Sequence, residues 1–289
     1  GMVVNKTMFD EAGIEVPTEW TYDEFLDVCA KLTHGEGTDK VYGVFWNSQQ
    51  DMAQYAQFMI QQTLGGDNMY TADGTATNFT DDVWQKTISL ISTTMNEGYA
   101  PTHADSVTEK LSQESMFLGG KAAMTIGPWM VRNIKDTETY PHDFVTAFAP
   151  YPVVSEYQRN YTQGGYGDLL CINPRSEHLD EAWEFAKWYL TEGGLYLASG
   201  GRVPAANTYN ADDVVNAFLS GAENLFDADS TKAVLITPHD NYAAPSITTK
   251  NAELTDIINE ELESIYTGQK TVEEGLESAK TRGDAALAG

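Results

Sequence analysis

The sequence is poor in basic residues. It has 17 lysines and arginines against 43 aspartates and glutamates, which gives a formal net charge of −26 over 289 residues. Proteins that bind nucleic acids need basic side chains to displace counterions from phosphates, so this charge excludes that class of function. An acidic surplus favours solubility and weak affinity for anionic surfaces, but it does not indicate a fold.

The sequence is also poor in metal-binding residues. Its two cysteines, Cys29 and Cys171, form no CxxC pair, so neither a zinc centre nor a disulfide framework is indicated. We expect both to be buried free thiols that lie far apart. The five histidines are His34, His103, His142, His178 and His239. Because none of them has metal-binding spacing, we expect no metal ion and no cofactor.

Catalytic motifs are missing as well. Neither GxGxxG nor GxSxG occurs, and "GGKAAM" at 119–124 lacks the serine or threonine that follows the lysine of a phosphate-binding loop. No apolar run is long enough to span a bilayer. Among 43 acidic residues, close carboxylate pairs arise by chance, so they do not by themselves indicate a glycosidase.

Helix-type and strand-type patterns alternate along the chain, which predicts an α/β architecture. Asn5 is expected to cap the first helix, and the pairs Thr21 with Glu24 and Thr271 with Glu274 form capping boxes. Helix-type runs are predicted at 52–63, 80–98, 180–190 and 254–265. Strand-type runs are predicted at 41–46, 121–126, 143–152 and 168–172.

Several aromatic side chains lie in turns near the predicted strand ends. Ligands of open α/β sheets bind beyond the carboxyl ends of the strands, and Trp129 follows such an end after Gly127-Pro128. An indole at this edge can stack on a sugar ring or pack in the core, and its position alone does not decide between them. Further candidates of this kind are Trp46, Tyr55, Tyr166 and Tyr242. Three tryptophans on helix stripes or faces are expected in the core, namely Trp84, Trp183 and Trp188.

Four stretches carry a family resemblance. They are "NKTMFDEAGIEVPTEWTYDEFLDVCAKLT" (5–33), "FLGGKAAMTIGPWMVRNI" (117–134), "HLDEAWEFAKWYLTEGGLYLASGGRVPA" (178–205) and "GQKTVEEGLESA" (268–279). In this order they resemble the extracellular, periplasmic-type solute-binding proteins of ABC importers, in the sugar-binding branch that includes maltose-binding protein. Each motif alone has little specificity, but the four in this order are fairly specific for the family.

The resemblance implies a periplasmic-binding-protein-like fold in which two α/β lobes hold a ligand in the cleft between them. It implies no catalysis, and closure of the lobes would signal to a membrane permease. Trp129 matches the family's stacking tryptophan after Gly-Pro. The other positions that the resemblance places at the ligand are Tyr55, Gly164, Gly165, Asn241 and Tyr242.

One block of the family has no counterpart here, since several N-terminal βα units normally precede the helix that Asn5 begins. The resemblance then implies mostly the second lobe with an incomplete first lobe. Residues 6–161 would be the first part of lobe two, 162–231 a fragment of lobe one, and 232–289 the return to lobe two with the C-terminal helices. The missing block also carries the family's export or lipoprotein signal, so an extracellular or periplasmic, membrane-tethered protein is expected.

The leading hypothesis is therefore a carbohydrate-binding component of an ABC importer that works with a permease. The alternatives are a glycoside hydrolase with an α/β fold and an orphaned lobe that binds only a protein partner. An incomplete lobe one would leave the strand-type run 168–172 and the helix of 180–190 uncovered. Open strand edges and apolar patches associate, so we expect self-association through this region, with repacking inside one chain as the alternative.

Overall fold

The computed structural model describes residues 1–48, 52–66, 68–157, 162–163, 169–237, 239, 241–242 and 249–289. The α-helices are α1 (Lys6–Glu11), α2 (Tyr22–Leu32), α3 (Met52–Leu64), α4 (Asp82–Asn96), α5 (His103–Thr108), α6 (Val131–Lys135), α7 (Leu179–Trp188), α8 (Gly194–Ala198), α9 (Ala211–Leu219), α10 (Ala228–Ser230), α11 (Asn251–Tyr266) and α12 (Val272–Ala288). The strands are β1 (Met2–Asn5), β2 (Met124–Ile126), β3 (Thr146–Ala149), β4 (Thr162–Gln163) and β5 (Asn241–Tyr242). Short 3₁₀ or π-helical turns lie at Gly37–Asp39, Glu114–Leu118, Pro128–Met130, Tyr189–Gly193, Glu223–Leu225 and Thr231–Ile236.

Side-chain caps start the helices where the sequence predicts. The Asn5 side chain accepts a hydrogen bond from the backbone of α1 at 3.1 Å. The capping boxes of Thr21 with Glu24 at α2 and of Thr271 with Glu274 at α12 are both complete. These signals depend only on neighbours in sequence, which is why the sequence predicts them correctly.

The main sheet is built around β1. This strand lies between β2 and β3 and pairs antiparallel with both, so that Met2 faces Ile126 on one side and Ala149 on the other. All four residues of β1 are buried. The strand-type runs predicted at 121–126 and 143–152 are thus confirmed in part, as β2 at the end of the first run and β3 in the centre of the second.

Two predicted strands have a different structure. The run 41–46 forms isolated bridges, with Tyr42 beside Ala122 and Phe45 beside Thr125, both parallel to β2. The run 168–172 was predicted as a strand, but its described residues, 169–172, have no regular structure. The prediction was wrong for 169–172 because no strand in the described part of the chain pairs with them, and a strand-type sequence is stable as a strand only beside a partner.

The side chains of β1 divide between two hydrophobic clusters. Met2 and Val4 pack into the larger cluster, which also contains α2, α3, α4, α11 and α12. Val3 points to the opposite face, where it joins residues such as Phe148 and Phe218. Because successive side chains of a strand point to opposite faces, four residues are enough to connect both clusters.

The second cluster joins α9 to the main sheet. Phe218 of α9 and Phe226 pack against Phe148 of β3, with ring centroids 6.2 and 6.3 Å from it. The sequence assigned 162–231 to a different lobe from β3, a boundary that would divide this cluster and that stays a prediction.

Five further predictions concern single side chains. Trp84 and Cys29 are buried as expected, and burial raises the pKa of the Cys29 thiol. Both cysteines are free, but Cys171 is exposed. Trp183 and Trp188 are also exposed, by 61% and 43%. The expectation of burial was wrong for these three because nothing described in the structure packs over the face of α7 and the segment before it.

A buried carboxylate joins the last two helices, and its removal is a test of the fold. Glu261 of α11 accepts hydrogen bonds from Arg282 and Ser278 of α12, each at 2.8 Å, and from Lys270. Burial raises the pKa of the Glu261 carboxyl, but the hydrogen bonds from Lys270, Arg282 and Ser278 outweigh burial and hold the pKa below its usual range. The stabilisation is complete above the unfolded-state pKa and is lost as pH falls through the lower folded-state pKa.

We therefore expect Glu261→Gln to lower the free energy of unfolding at pH 7 by about 1–3 kcal/mol. The difference from the parent should shrink as pH falls below about 4, because Glu261 of the unfolded parent then takes up a proton before Glu261 of the folded parent does. Urea titrations at several pH values measure the loss of unfolding free energy at pH 7 and its change with pH. The matched control is Glu260→Gln, since the exposed Glu260 also pairs with Arg282 and should contribute less than about 1 kcal/mol. If Glu261→Gln and Glu260→Gln lower the free energy of unfolding equally, the proposed stabilising role of the buried Glu261 carboxylate is wrong.

Candidate functional site

The candidate site begins at the turn that follows β2. Gly127 has φ 141° and ψ 71°, a conformation that side chains other than glycine rarely adopt. A Cβ atom there would lie 3.0 Å from Cε2 of Trp129 and 3.1 Å from Nε2 of Gln113. Both the backbone angle and the surrounding space therefore require glycine, and this glycine directs the chain from the strand into the short helix α6.

Trp129 is the half-exposed residue of this turn. Its side chain is 48% exposed, whereas the next two residues, Met130 and Val131, are buried in the second cluster. The buried neighbours fix the backbone, and the indole rests on Gly127 with much of its surface open. A rigid, partly exposed aromatic ring at a strand end can stack on an apolar ligand face.

A pair of polar side chains lies about one turn beyond Trp129 along the chain. The Asn133 amide donates to the Glu114 carboxylate at 3.1 Å, and both side chains are partly exposed. Asn133 is four residues after Trp129, so the two share one face of the turn that continues into α6. The pair offers both a hydrogen-bond donor and an acceptor next to an aromatic surface.

The end of β2 is held by a second amide. The buried Gln113 side chain donates to the Ile126 carbonyl, just before the glycine. This bond ties the last carbonyl of β2 to the segment that contains Gln113, directly before the turn begins. Gln113 and the pair of Glu114 with Asn133 were missed by the sequence analysis, because only the fold brings 113–114 to this strand end.

A second chain segment ends at the same place. The Thr125 hydroxyl donates to the Phe45 carbonyl at 3.0 Å, and the segment that contains Phe45 runs parallel to β2. The polar residues Asn47 and Ser48 therefore follow at the same edge, and both are buried. The sequence contained a signal for them, since two polar residues come directly after a strand-type run.

Two predicted ligand-contacting aromatics are instead part of the core. Trp46 is buried, and its indole N–H donates to the Thr94 hydroxyl at 2.8 Å. Tyr55 of α3 is also buried, in the larger cluster. α4 and its neighbours cover both rings, and packing and hydrogen bonds satisfy such buried aromatic side chains. Their contact with a ligand stays a prediction.

The remaining predicted positions are only partly described. Gly164, Gly165 and Tyr166 lie outside the described residues. Asn241 and Tyr242 form β5, which pairs in parallel with β4. This pairing brings two segments that are distant in sequence side by side.

The described residues contain little other chemistry. None of their histidine, cysteine, aspartate and glutamate side chains forms a group of three or more suited to a metal ion. Within the same ranges, no helix combines the length and apolar character that crossing a membrane requires. An open groove of about 570 Å³ between α1 and α10 includes Ile14 and Val16, and it shares no residue with the Trp129 turn.

The sequence profile of the bacterial extracellular solute-binding proteins matches residues 1–195. The match covers more than half of the chain. The chain belongs to this family. The resemblance seen in the sequence is thereby confirmed, and so is the expectation of a binding protein rather than an enzyme. Among curated proteins, no sequence matches the chain.

Solved structures of this fold are similar over almost the whole chain. A sugar transporter from Rhizobium etli in an open conformation shares 23% identity at a TM-score of 0.76, over 99% of this chain and 69% of its own. The ABC substrate-binding protein from Listeria monocytogenes in complex with cycloalternan shares 18% identity at a TM-score of 0.66, over 99% of this chain and 69% of its own. The sugar-binding protein MalE from Xanthomonas citri shares 21% identity at a TM-score of 0.70, over 99% of this chain and 68% of its own. These values confirm the periplasmic-binding-protein-like α/β fold.

The first test of the site concerns its turn. We expect Gly127→Ala to lower the free energy of unfolding by about 1–3 kcal/mol, because alanine at this positive φ is strained and its Cβ crowds the indole. Acrylamide quenching of tryptophan fluorescence should change as well, since the indole must move.

The matched control is Gly66→Ala, where an added Cβ meets nothing within 4 Å. That change should lower the free energy of unfolding by no more than about 0.5 kcal/mol. Removal of a glycine can instead raise it by up to about 1 kcal/mol. Equal stability of Gly127→Ala and the parent would show that the turn is not constrained as described.

Proposed function

We propose that this chain is the carbohydrate-binding component of an ABC-type importer and that it holds a sugar or polyol against Trp129. The observation that carries the proposal is a half-exposed indole on a glycine-dependent turn, with a polar pair about one turn further along the chain. Membership of the solute-binding family supports a binding role. The cycloalternan held by the similar protein from Listeria monocytogenes supports the class of ligand.

Stacking on the indole gives the proposed site most of its affinity. Covering roughly 60–100 Å² of apolar surface with a sugar ring contributes about 1.5–2.5 kcal/mol at about 25 cal/mol per Å². Trp129 loses little freedom on binding, because the buried Met130 and Val131 already fix the turn. The position of the ring is therefore set before the ligand arrives.

Hydroxyl groups of the ligand find partners beside the ring. Asn133 supplies N–H donors and Glu114 supplies carboxylate acceptors, and both side chains are partly exposed. Sugars and polyols present hydroxyls that both donate and accept, so a donor next to an acceptor suits them. Apolar ligands would leave this pair without a role.

We further propose that the ligand lies in a cleft between two lobes. Residues 6–161 would form the first part of lobe two, and the return to it would begin before α9. Residues 162–210 would belong to lobe one. The predicted contacts of Gly164, Gly165, Tyr166, Asn241 and Tyr242 are part of this proposal, since the β4–β5 pairing brings their two segments together.

The partner of the closed form would be a membrane permease, and the protein would act outside the cytoplasmic membrane as a tethered lipoprotein. Family membership supports the extracellular location. Closure of two lobes around a ligand is a common way for binding to change the surface that a partner contacts. Tethering and the permease follow from the sequence resemblance and belong to the proposal.

Titration calorimetry of Trp129→Ala with a panel of sugars and polyols tests the ligand site. We expect the dissociation constant of the best ligand to rise about 10- to 70-fold, the equivalent of the lost stacking energy. Stability should change by less than a core truncation would cause, because the side chain is half exposed. Trp129→Phe keeps a flat ring and should recover part of the affinity.

The matched control is Trp183→Ala, which removes an exposed tryptophan from α7. This variant should bind as the parent does. Equal affinities for Trp129→Ala and the parent would contradict the platform role. Chromatography of the same sugars after long incubation should show no new products, because the proposed function includes no catalysis.

A further inference from the structure

A lysine at the end of α6 joins three segments of the chain. The Lys135 ammonium donates to the backbone carbonyls of Ser199 at 2.8 Å, Phe218 at 2.5 Å and Ser220 at 3.1 Å. An ammonium group has three N–H donors, so these bonds use its whole capacity. Lys135 is the last residue of α6, the helix that begins two residues after Trp129. The helix of the candidate site is thereby tied to carbonyls that lie 64, 83 and 85 positions further along the chain.

The three carbonyls stand at the ends of two helices. Ser199 follows the last residue of α8, Phe218 lies in the last turn of α9, and Ser220 follows the last residue of α9. The final carbonyls of a helix have no partner within the helix and carry its partial negative charge, so a cation beside them is favoured. Lys135 therefore caps the C-terminal ends of α8 and α9 together, and these bonds hold α6 against both helices.

The turn after α8 also packs on the other end of α6. Gly201 has φ +86°, and a Cβ atom at this position would lie 2.9 Å from the Cβ atom of Val131. Val131 is the first residue of α6, and its side chain is fully buried. The short stretch 199–201 thus contacts both ends of α6, at Val131 through packing and at Lys135 through a hydrogen bond.

Helix α6 depends on such contacts for its orientation. It has five residues, whereas an isolated helix needs about 12–15 to be even marginally stable. Among the described residues, none caps its first turn through a side chain. Val131 and Ile134 pack one face of α6 into the second cluster. Apolar packing is not directional but hydrogen bonds are, so the bonds of Lys135 decide the angle at which α6 leaves the turn.

We propose that Lys135 is a positioning residue of the ligand site, because it holds the end of α6 and thereby sets the orientation of the Trp129 indole. The turn Pro128–Met130 runs directly into α6, so a tilt of the helix moves the indole. The inference rests on the proposed function, in which this indole carries the ligand. Lys135 acts through Trp129 and not through a contact of its own with the ligand.

The positioning affects affinity as well as stability. A ring that is fixed before binding gives more affinity than a ring that the ligand must first order. Buried Met130 and Val131 fix the start of α6, and Lys135 fixes its end. Without the three bonds of Lys135, α6 gains freedom, and binding must then supply the order that the parent already has.

Lys135→Met tests the proposal, because methionine keeps an apolar stem and removes the three donors. The indole N–H signal of Trp129, assigned by Trp129→Phe, should move in the ¹⁵N spectrum of the ligand-free protein, while that of the buried Trp84 stays in place. Calorimetry with glucose, maltose and mannitol should show that the dissociation constant of the best of them rises roughly 3- to 10-fold, the equivalent of ordering one more side chain. If Lys135→Met does not fold, Lys135→Gln keeps two donors and should show the same changes at smaller size.

Lys280→Met is the control for a loss of stability alone. Lys280 of α12 is also partly buried, and its ammonium donates to the Thr77 carbonyl at 2.9 Å and to the Asp284 carboxylate at 2.8 Å. This change should lower the melting temperature as Lys135→Met does, but it should leave the dissociation constant and the Trp129 signal as they are in the parent. Lys135→Arg keeps the charge and the donors, so it should lie closer to the parent than Lys135→Met in both measurements.

Three results would overturn the proposal. The first is a folded Lys135→Met protein with the parent's Trp129 signal, since the indole would then be placed without the lysine. The second is an equal shift of this signal in Lys280→Met, since lost stability alone would then explain it. The third is a shifted signal with an unchanged dissociation constant, since the placement would then not serve binding. The signal of the ligand-free protein needs no sugar, so a parent that binds none of the three sugars counts against the proposed function and leaves the placement of the indole by Lys135 open to the same test.

Discussion

The whole structure depends on the pairing of β1 between β2 and β3. This strand has four residues, all buried, and its alternating side chains enter both hydrophobic clusters. Its register with β2 also decides where that strand ends, since Met2 lies opposite Ile126, the last residue before the glycine turn. A shift of one residue would exchange the two faces of the strand and move the turn.

The geometry of the candidate site depends on this sheet. Gln113 holds the carbonyl at the end of β2, and Gly127 redirects the chain with a backbone angle that a side chain would oppose. Buried Met130 and Val131 anchor the far side of the turn, which leaves Trp129 as the residue that faces out. The exposure of this indole is therefore a result of fixed neighbours on both sides. Preorganisation of this kind is what a binding platform requires.

The sequence could predict what neighbours in sequence determine. The capping boxes at Thr21 and Thr271 and the position of Trp129 after a strand were all visible in short stretches. Burial of Trp46 and Tyr55 could not be predicted, because it depends on contacts with helices that are distant in sequence. The same holds for the packing of Phe218 of α9 on β3, which joins segments that are distant in sequence.

Exposure of α7 agrees with the uncovered helix that the family resemblance predicts and disagrees with the burial that its helix stripe predicts. Its stripe of Phe185 and Tyr189 has the spacing of a core-facing helix, so the sequence predicts burial. The pattern was correct about the helix and about its apolar face, but a pattern cannot tell which surface covers that face. Trp183 and Trp188 were misassigned for this reason, and Trp84 was not, because α4 lies within the larger cluster.

The most direct test of the central claim uses the six tryptophans as separate reporters. The indole N–H signals of ¹⁵N-labelled protein can be followed by NMR during titration with a panel of sugars and polyols, with the Trp129 signal assigned by Trp129→Phe. The account predicts that a binding sugar shifts the Trp129 signal most, while those of the buried Trp20 and Trp84 stay in place. A sugar that binds and leaves the Trp129 signal unchanged would contradict it.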